Sequence, residues 1–174
     1  SVLDLIPAGR NVSIEREVWP QLVGNGLYGF AAEAYWLDIG TPERYLQGTF
    51  DILEGHVATA VADRLGDNYL AVGERVEAHG RIVPPALVDR GCSIATGAHV
   101  GSLVVLGEGV SVGEGAIVER SVVLNGAEIG AHCVLRDCIV AAGVRVGEGS
   151  EISDGAVLGE GVTVGPGNVL SRGV

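Results

Sequence analysis

From residue 70 onward an aliphatic residue returns at every sixth position. Leu70, Val76, Ile82, Val88, Ile94, Val100, Leu106, Val112 and Val118 follow in unbroken steps of six. A step of five leads to Val123, steps of six reach Ile129 and Leu135, and a second step of five gives Val140. Val146, Ile152, Leu158, Val164 and Leu170 complete the series. A helix repeats its apolar face at about 3.6 residues and a half-buried strand at about 2, so neither alone makes this period. A short strand and a turn, repeated, does. Three such units of about six residues close a triangular coil of about 18, and coils stacked at about 4.8 Å form a parallel β-helix. Residues 67–174 thus predict a mainly β architecture of about six coils, with the aliphatic residue of each hexad pointing inward. Small residues stand four places later (Cys92, Ala98, Ala116, Cys133, Ser150, Ala156), where only a slim side chain fits beside the stack.

Glycines keep phase with this count. In Leu106-Gly-Glu-Gly, Val112-Gly-Glu-Gly, Val146-Gly-Glu-Gly, Leu158-Gly-Glu-Gly and Val164-Gly-Pro-Gly they fall one and three places after the inward aliphatic. A phosphate-cradling loop occurs once and opens a helix. Five copies in fixed phase mark corners, where glycine supplies positive φ without steric cost.

Before residue 67 the pattern changes. Ser13 to Gly24 opens on a good N-cap and ends at glycine, which predicts a short helix that Pro20 bends or stops. Leu27–Phe30 and Ala34–Ile39 read as two short strands. Thr41 is an expected N-cap with Pro42 at the first helical position. Tyr45, Leu46, Thr49, Phe50 and Leu53 then recur at helical spacing, so this helix is expected to dock one face on the first β-helix coil. Trp19 and Trp36 are expected to be core aromatics between the first elements.

Charge narrows the partners. The net charge of −11 leaves no basic surface for nucleic acid or an anionic membrane. All the basic residues are arginine, and Arg10, Arg16 and Arg44 are read as solvated surface cations. Cys92, Cys133 and Cys138 are odd in number and form no CxxC, which suits packing residues in a reducing cytoplasm. No apolar run is long enough to span a membrane and no charged-then-apolar leader is present. Ser1 to Gly9 reads like the middle of a domain and Val174 falls inside a hexad, so the chain is expected to be a fragment. His79, His99 and His132 are not separated by multiples of about 18, so no stacked or inter-subunit zinc site is expected.

The repeats resemble those of the hexapeptide-repeat proteins, which implies a left-handed β-helix. Tyr35 to Leu46 (YWLDIGTPERYL) resembles the closing motif of the catalytic domain in sugar-nucleotide pyrophosphorylases. VLDLI (Val2 to Ile6), SIEREVWPQL (Ser13 to Leu22) and LYGF (Leu27 to Phe30) resemble the segments before it in mannose-1-phosphate guanylyltransferases. The resemblance implies three parts: 1–42 as the α/β tail of a nucleotidyltransferase domain, 43–66 as a linking helix, and 67–174 as the β-helix. Such enzymes join a sugar 1-phosphate to a nucleoside triphosphate and release pyrophosphate with magnesium.

The resemblance implies that Asp38 is a Mg²⁺ ligand, acting with a second aspartate earlier in the catalytic domain. Without it, Asp38 is an ordinary turn residue. The family's GxGTRLxPLT-like loop and its sugar-phosphate lysine have no counterpart here, so this polypeptide alone is expected to be inactive and carries no catalytic residue of its own. The β-helix is expected to mediate homo-oligomeric assembly or regulation. Two alternatives remain: an acyltransferase of the same fold, whose usual long active-site loop finds no room in the count, and a non-catalytic assembly module.

Overall fold

The computed structural model describes residues 1–172, so the expected break at Val174 lies outside the described residues. The chain forms two compact units, Ser1–Tyr35 and Trp36–Val174.

The second unit is dominated by eighteen short strands, from Leu70–Val72 to Val169–Ser171, arranged as three six-stranded parallel sheets. Each strand pairs with the third one after it, so three strands make a turn and the prism has six coils. One inward stack is Val72, Val88, Leu106, Val123, Val140 and Leu158. A second is Ala78, Ile94, Val112, Ile129, Val146 and Val164. The third is Ile82, Val100, Val118, Leu135, Ile152 and Leu170. From Val88 to Val164 every one is buried, and together they form the axial core.

Two expected members are corrected. By register Val72 and Ala78, not Leu70 and Val76, align with the inward stacks, but both are exposed in this first coil, and Val76 packs against the axial core. The last step of that coil, Ala78 to Ile82, is only four residues, and the regular count hides it.

The small residues four places on are buried as expected, and the polar ones have a further task. Cys92 Sγ donates to the Gly107 carbonyl at 3.1 Å, Cys133 Sγ to Gly147 at 3.1 Å, and Ser150 Oγ to Gly165 at 2.9 Å. Burial pushes the Cys92 and Cys133 thiols up from their ordinary range.

The two glycines of each corner serve different ends. Gly115 takes φ +63°, the left-handed region that strains other residues. Gly113 has no such φ, but a Cβ there would lie 2.6 Å from Ala131 N in the next coil. One glycine turns the chain and the other lets coils approach.

The three outer faces differ. The first presents Ala71, Leu87, Val105, Val122 and Ile139 in a row. The second presents Glu77, Ser93, Ser111, Glu128, Arg145 and Thr163, which suits solvent. The apolar face takes the helices. Helix α2, Pro42–Leu53, buries Leu46, Phe50 and Leu53 there, and α3, Ala60–Leu65, adds Leu65; they form a second cluster with Ala71, Leu87, Leu103 and Val122. Helix α2 therefore lies across several coils rather than on the first alone, because the apolar stripe runs along the prism. The segment 43–66 holds two helices.

The first unit is helical at its centre. A π-helical turn, Ile14–Val18, is capped by Ser13 and continues into the short helix α1, Trp19–Leu22. The strands expected at Leu27–Phe30 and Ala34–Ile39 do not form. Extended chain becomes a strand only when a ladder accepts its amides, and no sheet of the described residues includes these segments.

Candidate functional site

Asp38 sits in the turn that leads into α2, and each residue around it has a local reason for its place. Thr41 is extended and its side chain accepts the Arg44 N–H at 3.3 Å, which satisfies one orphan amide of the first turn. Pro42 follows at the first helical position. Upstream, Asp38 Oδ1 accepts the Gly40 N–H at 3.1 Å. This is the turn role that the residue types alone suggest, and Asp38 is exposed.

Alternation survives although the strand does not. A Cβ at Gly48 of α2 would lie 3.2 Å from Leu37 Cδ2 and 3.4 Å from Ile39 Cγ2, so both side chains rest on the helix where glycine leaves room. Trp36 is 82% exposed, which corrects the expectation of a core aromatic. In the first unit Tyr28 and Phe30 are 90% and 94% exposed.

Asp38 offers one hard oxygen ligand of the kind magnesium takes. The residues present fit such an ion as a contributor only, because no second and third donor gather round Asp38 among the described residues. Among the described residues the one group of three is Asp51, Glu54 and His56, at the other end of α2. Its His56 Nδ1 stands 3.9 Å from Asp51 Oδ1 and 3.8 Å from Glu54 Oε2, and Gln47 donates to the same Asp51 oxygen at 2.7 Å. Sequence reading passed over it, although D-x-x-E-x-H at a helix end was the available signal.

The remaining candidates stay apart. His99 lies 3.8 Å from Glu119 on an outer face, and among the described residues no group of three donors includes His79, His99 or His132. The three thiols are buried and free. Arg10 pairs with Glu17 at 2.7 Å, and this arginine holds the Glu17 carboxyl below its usual range. No helix of the described residues is long and apolar enough to cross a membrane.

A six-coil prism of hexapeptide repeats with a helix strapped along one face, entered through an Asp-x-Gly-Thr-Pro turn, defines the class of fold. Residues 82–174 match the family model described as GMPPB C-terminal domain. The chain belongs to that family. It is 35% identical over 138 residues to a mannose-1-phosphate guanylyltransferase of Mycobacterium tuberculosis, covering 78% of this chain and 34% of the relative. It is 29% identical over 130 residues to a glucose-1-phosphate adenylyltransferase of Actinobacillus succinogenes, covering 69% and 29%. The chain thus spans about a third of the length of the curated relatives it matches. Among solved structures it is similar to a mutant GDP-perosamine N-acetyl transferase from Caulobacter crescentus, with 30% identity, a TM-score of 0.48, and coverage of 56% of this chain and 50% of that one.

Proposed function

We propose that this chain is the C-terminal part of a nucleotidyltransferase that joins a sugar 1-phosphate to a nucleoside triphosphate, giving a nucleotide sugar and pyrophosphate. The reaction most like it is GDP-mannose synthesis. The observation that carries the reading is the Trp36–Pro42 segment: a W-x-D-x-G-T-P turn docked on α2 in the same compact unit as the repeats. Relatives named for sugar-phosphate nucleotidyl transfer support it.

In this reading Asp38 supplies one carboxylate to Mg²⁺, and a carboxylate outside these 174 residues supplies another. The ion offsets the charge gathered at the phosphates. The chain's own residues hold the Asp38 carboxylate in place: the Gly40 N–H orients it, and Leu37 and Ile39 anchor its flanks to α2. In this reading the exposed Trp36 packs against the rest of the catalytic domain. The β-helix serves assembly with further copies of the chain, and three buried free thiols suit the cytoplasm.

The test is to incubate the intact gene product with mannose 1-phosphate, each nucleoside triphosphate in turn and Mg²⁺, and to measure pyrophosphate. Release with GTP is expected. Acetyl transfer from acetyl-CoA, with no pyrophosphate from any pair, would overturn the reading.

A further inference from the structure

Helix α2 connects the Asp38 turn to the whole length of the prism. Its first residue, Pro42, borders a cleft with Leu158, Leu170 and Arg172 of the sixth coil. Its last buried residue, Leu53, shares a cluster with Ala71 of the first. The apolar contacts between them are aliphatic or aromatic on aliphatic, and such contacts are non-directional. They hold the helix on the face, and polar contacts along its flank add directional restraint. On one flank a cleft of about 310 Å³ opens between Glu43, Leu46, Gln47 and Phe50 of the helix and Arg120, Asp137 and Asp154 of the prism.

Two arginines cross this seam. The first is Arg120, whose guanidinium carbon stands 4.8 Å from the centre of the Phe50 ring, a cation–π distance. Its Nε donates to Asp137 at 2.7 Å, so the planar group is held from behind while it faces the ring. Arg120 takes φ 47° at the corner where the inward series shortens from six to five. The second is Arg172 of the last coil, which pairs with Glu43 one residue into the helix. One contact grips the middle of α2 and the other its start.

Upstream of Pro42 there is no slack. Thr41 caps the helix, Gly40 is bonded to Asp38, and Leu37 and Ile39 rest on Gly48. Whatever displaces α2 displaces the Asp38 carboxylate with it.

We propose that Arg120 and Arg172 are positioning residues for Asp38: by clamping α2 at Phe50 and Glu43, two arginines of the β-helix fix where the metal-binding turn stands. The inference rests on the reading of Asp38 given above. It makes the repeat domain part of the catalytic geometry rather than only a platform.

The experiment uses the intact gene product in four forms, Glu43→Arg, Arg172→Glu, their double charge swap and Arg120→Gln, beside wild type and Asp38→Asn. Pyrophosphate release is measured against Mg²⁺ concentration, with a thermal melt of each variant. Each single variant is expected to need more Mg²⁺ for half-maximal rate and to lose about tenfold in turnover, short of the ~100-fold that a misplacement of an ångström can cost. The charge swap is expected to recover turnover to within about threefold of wild type, and the main melting transition is expected to stay in place because the axial core is a separate cluster. Single variants with wild-type Mg²⁺ dependence, or a charge swap no better than either parent, would overturn the inference. If those variants match wild type while Asp38→Asn is inactive, only the clamp fails. If wild type releases no pyrophosphate, or Asp38→Asn matches it, the functional reading fails and the clamp with it.

Discussion

Ser121 and Cys138 occupy the same place in consecutive coils: the Cys138 N–H donates to Ser121 Oγ at 3.2 Å, and Oγ and Sγ lie 3.5 Å apart. Each sits two residues before an inward valine, Val123 or Val140, at a step of five where the corner loses a residue. Ser121 Oγ donates in turn to the Glu119 carbonyl at 2.7 Å, so the buried hydroxyl is satisfied.

This burial gives a pH dependence. Burial pushes the Cys138 thiol from 9.0 up to about 11. The folded state then holds a proton that the unfolded chain releases, so the contribution is complete below pH 9.0 and is lost as pH rises toward about 11. The loss amounts to about 2 to 3 kcal/mol. Denaturation of wild type and Cys138→Ala at intervals from pH 8 to 11 should show the gap between them shrinking over that window. A constant gap would contradict the assignment.

The corner glycines separate on substitution. A Cβ at Gly113 would lie 2.6 Å from Ala131 N, whereas at Gly159, in the last coil, its nearest neighbour is Val162 Cγ2 at 3.9 Å. Gly113→Ala should cost about 1 to 3 kcal/mol or more through overpacking. Gly159→Ala should be neutral or add up to about 1 kcal/mol by restricting the unfolded chain. Melting temperatures of the two variants decide this; equal losses would mean that coil approach does not explain the first glycine.

Phe50 tests the independence of the helical strap. Phe50→Ala removes the ring from the outer cluster and leaves the axial stacks untouched. Docking of α2 should weaken by about 3 to 5 kcal/mol. Amide hydrogen exchange should then speed up across Pro42–Leu53 while Val104–Leu106 and Val122–Val123 keep their protection. Loss of protection in both would show one cooperative unit.

Much of this molecule is legible in its sequence because a parallel coil repeats one environment many times. From Ile82 to Leu170 the aliphatic count places every inward residue, including both five-residue steps. It loses register at Leu70 and Val76, because Val72 and Ala78 are the residues aligned with the stacks there, although Val76 still packs against the axial core. The docking face was written one position before each inward residue: Leu87, Val105, Val122 and Ile139 on one sheet against Ser93, Ser111, Glu128 and Arg145 on another. Capping by Thr41 and Pro42 was readable because it is local. The expected strands at Leu27–Phe30 and Ala34–Ile39 were not, since a strand depends on a partner that its own residues do not specify. Asp38 shows the same limit. Its turn follows from Gly40-Thr-Pro, but a turn is local and a single carboxylate specifies no set of donors.

The most direct measurement of the central claim is Mg²⁺-dependent pyrophosphate release by the intact gene product, wild type against Asp38→Asn, from a sugar 1-phosphate and a nucleoside triphosphate. Losing a charged ligand at the metal should remove several kcal/mol of charge stabilisation, about 100-fold or more in rate, with the melt of the β-helix unchanged. Wild-type turnover and wild-type Mg²⁺ dependence in Asp38→Asn would contradict the account.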